Sequence, residues 1–257
     1  MQPGRVTAFI AVILFTAAIY YYMEAMRRGS KYPLRSLPAL EAIEEAVGRA
    51  TELGRPVFFS AGTGDVVGAE GMQVLAGMDI LSFAARKCAE YNVKIICTVS
   101  QQNVQAVAEE VVRSAYAHAG HPEAYQPEMV QFLSPTQMAY TAASVAIMRR
   151  EQIAASLLIG PFFGEALIMA EEAALLGAIG IAGTARMSQL PLFIAACDYC
   201  LIGEEIFAGS AYLSGDPVSL GNIAVQDIAK MVGAVLVIIG SVFQTFSMTW
   251  VKDLLRK

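Results

Sequence analysis

The chain has 257 residues, enough for one large or two small domains. With 56% hydrophobic and only 16% charged residues it is too apolar for disorder, against roughly 25% charged in an ordinary globular chain. Its net charge of −5 argues against nucleic acid as a partner, because phosphate binding needs clustered Lys and Arg.

The first element is an uncharged stretch from Val6 to Met23, closed by Tyr20, Tyr21 and Tyr22. A helix needs roughly 20 apolar residues to cross a bilayer, and aromatic side chains favour its interfaces. A transmembrane helix is expected over residues 6–26. The region before it holds a single Arg, no small-residue cleavage site follows, and Arg27-Arg28 reads as a stop, so a retained anchor is expected rather than a signal peptide. A basic linker over 27–37 carries Arg27, Arg28, Lys31 and Arg35, which places the following domain in the cytoplasm and near anionic lipid.

An α/β domain is expected over 38–220. Ser36 is a candidate helix cap, and Leu40, Ile43, Val47 and Ala50 recur at helical spacing up to Gly54. Strand and helix patterns then alternate. Pro56–Ser60 is β-type, Gly71–Tyr91 helical, Val93–Ser100 a strand and Asn103–Ala119 helical. After a polar loop come a strand at 130–133, a helix at 136–151, a strand at 155–159, a helix at 164–176 and a strand at 178–182. Leu192–Ile202 reads as a further strand or a buried helix, and Glu204–Leu213 as a helix. Such alternation argues for a mostly parallel sheet with helices on both faces. Residues 153–203 also admit a reading as further membrane helices, but their apolar runs are short and interrupted by Glu165, Glu171 and Glu172. A second transmembrane helix is expected over 229–251, ending near Trp250. Its basic tail, Lys252, Arg256 and Lys257, opposes the orientation set by the first.

Three groups of residues could carry chemistry. Ser60-Ala-Gly-Thr-Gly-Asp-Val-Val-Gly68 lies between a strand and a helix, where glycines admit a ligand and a helix N-terminus offers N–H groups to an anion. Gly62, Thr63, Gly64 and Gly68 are its candidate ligand contacts. The spacing is neither the dinucleotide fingerprint nor a Walker loop. Cys197-Asp-Tyr-Cys200 is formally C-x-x-C, yet Cys88 and Cys97 do not complete a zinc set, and packing thiols in a reducing compartment are expected. Glu165, Glu171, Glu172, Asp198, Glu204 and Glu205, with Arg186, are an acidic set suited to acid/base work, a cation or buried ion pairs. Two histidines leave no nucleophile–His–carboxylate arrangement. No metal site and no particular cofactor is indicated.

The phrases Val47-Gly-Arg-Ala-Thr-Glu-Leu-Gly-Arg-Pro-Val57, Ile181-Ala-Gly-Thr-Ala185 with Ser188-Gln-Leu-Pro191, and Ala196-Cys-Asp-Tyr-Cys-Leu-Ile-Gly-Glu-Glu205 with Ser210-Ala-Tyr-Leu-Ser214 resemble a family of prokaryotic membrane-anchored proteins catalogued as a domain of unknown function. The resemblance covers almost the whole chain. It implies a Rossmann-like α/β domain between two terminal transmembrane helices, with any shared function around Thr184, Gln189, Asp198, Glu204 and Tyr212. The expected role is a two-pass scaffold in the cell membrane that homo-oligomerises or docks partner subunits. The alternative is a membrane-anchored small-ligand or nucleotide-binding protein, or an enzyme, using residues 62–68 and the acidic set.

Overall fold

Runs of β-branched residues separated by longer amphipathic ones set up strands and helices in alternation. The computed structural model describes residues 6–28 and 36–245. In chain order the elements are α1 (Val6–Arg27), α2 (Pro38–Leu53), β1 (Val57–Ser60), α3 (Gly71–Glu90), β2 (Ile95–Val99), α4 (Gln102–His118), β3 (Val130–Phe132), α5 (Gln137–Glu151), β4 (Ala155–Ile159), α6 (Glu165–Leu175), β5 (Ile179–Thr184), α7 (Leu190–Ala196), β6 (Tyr199–Ile202), α8 (Glu205–Ser214) and α9 (Pro217–Thr245). They divide into two compact units, residues 1–34 with 215–257, and residues 35–214.

In the first unit α1 packs against α9. A Cβ added at Gly221 of α9 would lie 2.9 Å from both the Cα and the backbone nitrogen of Met23, so glycine is what lets the two backbones approach. Asp216 caps α9 ahead of Pro217, its carboxylate accepting from the Ser219 N–H and hydroxyl, each at 2.8 Å. These bonds hold the Asp216 carboxyl below its ordinary range. Among the described residues one helical stretch, Pro217–Ile238, is long and apolar enough to cross a membrane, and the apolar part of α1, Val12–Ala25, is shorter. The expected second anchor thus belongs to a helix that begins at Pro217, and residues 246–251 of that expectation lie outside the described residues.

The second unit is a six-stranded sheet in the order β3-β2-β1-β4-β5-β6. Every neighbouring pair is parallel. β1, β2, β4 and β5 are buried along their whole length, which is why they read as continuous apolar runs rather than alternating ones. Phe58, Ile96, Leu158 and Ala182 share a core with Tyr140, Met148, Phe162, Met169 and Phe193 from α5, α6, α7 and the β4–α6 loop. Phe162 and Phe193 meet edge to face, 5.3 Å between centroids. α2, α3, α4 and α8 pack among themselves, with Ser210 of α8 donating to Asp79 of α3. All four apolar residues that define the helical spacing of α2 are buried.

Two local expectations are corrected. Leu37, not Ser36, is the N-cap of α2, without a side-chain cap, because Pro38 supplies the fixed φ of the first turn. Leu192–Ile202 is neither one strand nor one helix. α7 stops at Cys197, whose backbone is extended, and Asp198 then starts β6 by exchanging bonds with Gly180: its N–H donates to the carbonyl at 2.9 Å and its carboxylate accepts the Gly180 N–H at 2.8 Å. Residues 153–203 build β4 to β6 of this sheet.

Candidate functional site

The strand order reverses between β1 and β4, one crossover running from β1 to β2 and the next from β4 to β5 in opposite directions. Open parallel sheets form their ligand crevice at the carboxyl edge of such a point. The residues that follow each strand therefore define the candidate site.

Beneath it lies a buried hydroxyl cluster. The Ser60 hydroxyl, at the end of β1, is 2.6 Å from the Tyr140 phenol, which also donates to the Thr98 carbonyl at 3.1 Å. Ser60 accepts from the Gly62 N–H at 3.2 Å. Burial pushes the Tyr140 phenol up to about 12, so it is a neutral hydrogen-bonding group that fixes the start of the glycine-rich turn.

The turn itself is closed by its neighbour. Gly62 has φ +75°, and a Cβ there would sit 2.2 Å from the Pro161 carbonyl, which accepts from the Thr63 N–H at 3.0 Å. A Cβ at Gly64 would sit 2.1 Å from the Pro161 ring. What approaches these glycines is the β4–α6 loop of the same chain. Thr63 donates through its hydroxyl to Glu165, 2.8 Å, and Gln137 of α5 donates to the other oxygen of that carboxylate. Glu165 is 1% exposed and opens α6, where the helix dipole favours negative charge.

A second clasp joins the loops after β1, β4 and β5. Glu70, just before α3, pairs with Arg186, whose guanidinium lies 3.9 Å from the centroid of the Phe163 ring. Gln73 donates to the Thr184 hydroxyl at 3.0 Å, which also accepts the Arg186 N–H at 3.2 Å. Gln189 precedes α7, and its Oε1 is buried without a hydrogen bond.

The expected ligand contacts are thus only partly brought together. Gly62, Thr63, Gly64 and Gly68 lie after β1, Thr184 and Gln189 around the end of β5, and Glu204 after β6, all at the carboxyl edge. Asp198 is at the opposite edge, lining a cleft with Glu45, Arg49 and Gly180. The acidic set does not converge either. Glu172 lies two turns along α6 and takes a bidentate pair of bonds, 2.6 Å each, from Arg149, which holds it below the ordinary carboxylate range. Arg186 binds Glu70 instead. Cys197 and Cys200 are free thiols raised by burial to about 12 and about 11, the protonated and unreactive form at neutral pH. His118 is the last residue of α4 and His121 lies just beyond it, at the opposite edge of the sheet.

Beside the closed turn is an open cleft of about 440 Å3, lined by Asp65, Gln101, Gln102, Asn103, Phe132 and Pro135. Asp65 is fixed through one carboxylate oxygen, which accepts from the Val67 N–H at 2.8 Å and from the Asn103 amide. The side chains of Gln101, Gln102 and Phe132 were not singled out by motif. The available signal was position, since Gln101-Gln102-Asn103 directly follows the clearest strand and Phe132 ends the next one.

The family model of DUF6754, a domain of unknown function, matches residues 1–255. The chain belongs to this family. No curated protein and no solved structure matches it. The DUF6754 match runs through both units, and this member's α/β unit is a Rossmann-like parallel sheet.

Proposed function

We propose that this DUF6754 protein is a membrane-tethered small-ligand-binding module whose ligand sits at the carboxyl edge of the sheet, beside the glycine-rich turn. The observation that carries the reading is the cleft over β1, β2 and β3. It is of ligand size, lies beside the point where the strand order reverses, and is lined by three carboxamides, of which Gln101 and Gln102 make no side-chain hydrogen bond among the described residues. A phosphate cradle in the turn itself is not part of the proposal, because Pro161 fills the space that Gly62 and Gly64 leave. In this reading the tether is α9, with α1 packed against it, and the excess of basic residues after α1 favours a cytoplasmic sheet. The test is a thermal-shift screen of the full chain in detergent against a mixed library of small metabolites. A stabilising compound whose effect is lost in Gln101→Ala supports the reading. A library without any such compound overturns it.

The assembly role is a second reading, carried by a different observation. Val67, Met72, Met138 and Met187 are 68–77% exposed on segments that directly follow strands. Exposed methionine at such positions suits a surface that docks a second protein. A strictly monomeric particle in mild detergent, with and without membrane extract, speaks against it.

A further inference from the structure

We infer that the cleft between Asp65 and Phe132 takes a neutral, polyhydroxylated ring, a sugar or cyclitol. This rests on the ligand-binding reading above and narrows it to a chemical class. Three of the six lining side chains are carboxamides, from Gln101, Gln102 and Asn103. A carboxamide both donates and accepts, as a hydroxyl does, so a row of them matches a row of hydroxyl groups rather than a single charge. Gln101 and Gln102 spend none of that capacity on the protein, and the second carboxylate oxygen of Asp65 is likewise left to accept.

The remaining walls are Phe132 and Pro135, apolar surfaces against which the C–H face of a sugar ring packs. The charge pattern excludes the other classes. No lining residue is basic and one is a carboxylate, so a phosphate or a nucleotide tail would meet repulsion without a counter-charge. A lone carboxylate already holding two donors is too few oxygens for a divalent cation.

The test uses the full chain in a zwitterionic detergent without a sugar headgroup and reads saturation-transfer NMR on added compounds. The probes are myo-inositol, D-glucose and D-ribose, with AMP and spermidine as charged comparisons. Saturation of ring C–H protons in at least one of the three neutral compounds is expected. That signal weakens in Phe132→Leu, which keeps an apolar side chain but removes the flat ring face on which the sugar C–H groups pack, and its apparent Kd rises about three- to tenfold in Gln101→Ala. Vesicles carrying a monoglucosyl diacylglycerol tell whether the ring is free or lipid-borne: capture by these vesicles, abolished by Gln101→Ala, identifies the lipid form, and response to the free ring alone identifies the soluble one. A Gln101-dependent response confined to AMP or spermidine overturns the assignment of class while leaving a ligand site. No response to any compound here, or in the wider library, overturns both.

Discussion

The Thr63 hydroxyl donates to the Glu165 carboxylate at 2.8 Å across 102 residues of sequence, joining the loops that follow two neighbouring strands. With Gln137 on the other oxygen, this nearly inaccessible carboxylate is held by neutral donors from two further segments. Removing the methyl group and removing the hydroxyl should therefore have different effects. Thr63→Ser keeps the bond, whereas Thr63→Val strips a buried charge of one donor and is expected to destabilise the α/β unit by roughly 1.5–3 kcal/mol. Thermal unfolding of the two variants, followed by circular dichroism, checks the difference. Equal losses would show that the hydroxyl is immaterial.

Gly62 and Gly64 face the same proline through different atoms, which yields a double-mutant test. Gly64→Ala puts a methyl group against the Pro161 ring, and Gly62→Ala puts one against the Pro161 backbone carbonyl in a left-handed conformation. Each is expected to destabilise by roughly 1–3 kcal/mol. Pro161→Ala removes ring atoms but no carbonyl, so it should rescue much of Gly64→Ala and none of Gly62→Ala. Denaturation midpoints of the three single and two double variants decide the matter.

Glu172 gives a pH dependence with a definite sign. Its folded pKa lies below the ordinary value of 4.5, chiefly through its hydrogen bonds from Arg149. The stabilisation is therefore fully present above the unfolded pKa and is lost as pH falls through the lower, folded one. Glu172→Gln should be less stable than the parent at neutral pH, and the gap should close in acid. Unfolding temperatures measured from neutral pH down to about 3 test this. A constant gap at all pH values would refute the ion-pair origin.

Gly221 is the position where the α1 and α9 backbones touch. Gly221→Val has nowhere to place its side chain without moving Met23. The variant is expected to separate the helix pair, which a cysteine pair introduced at Met23 and Ala224 would report as lost oxidative cross-linking. Undiminished cross-linking would mean that the close approach is dispensable.

Much of the sheet was legible because its strands are short and buried on both faces: Ile95–Val99 is rich in β-branched residues between Lys94 and Ser100, and Ala155–Ile159 is an apolar run ended by Gly160-Pro161. The failure at Leu192–Ile202 has a physical origin. A buried helix and a buried strand present the same continuous apolarity, and only Pro191 and the Asp198–Gly180 exchange separate them. The site was less legible. Glycines after β1 suggested room for a ligand, but whether such room is filled depends on Pro161, a hundred residues away. Likewise Glu70 finds Arg186, and Glu172 finds Arg149, through strand order, which no local pattern encodes.

The wedge of Pro161 against the glycine turn also has a temporal side. During synthesis β1, β2 and β3 are complete long before β4 is made, so one flank of β1 waits with unpaired N–H and carbonyl groups. Pairing it requires closing a long chain segment, which is slow compared with local helix formation. For that interval the first half of the sheet carries an open edge of the kind that draws chaperones or aggregates. Arrival of the β4–α6 loop ends the exposure in one step, since the same segment supplies both the neighbouring strand and the residue that fits over the turn.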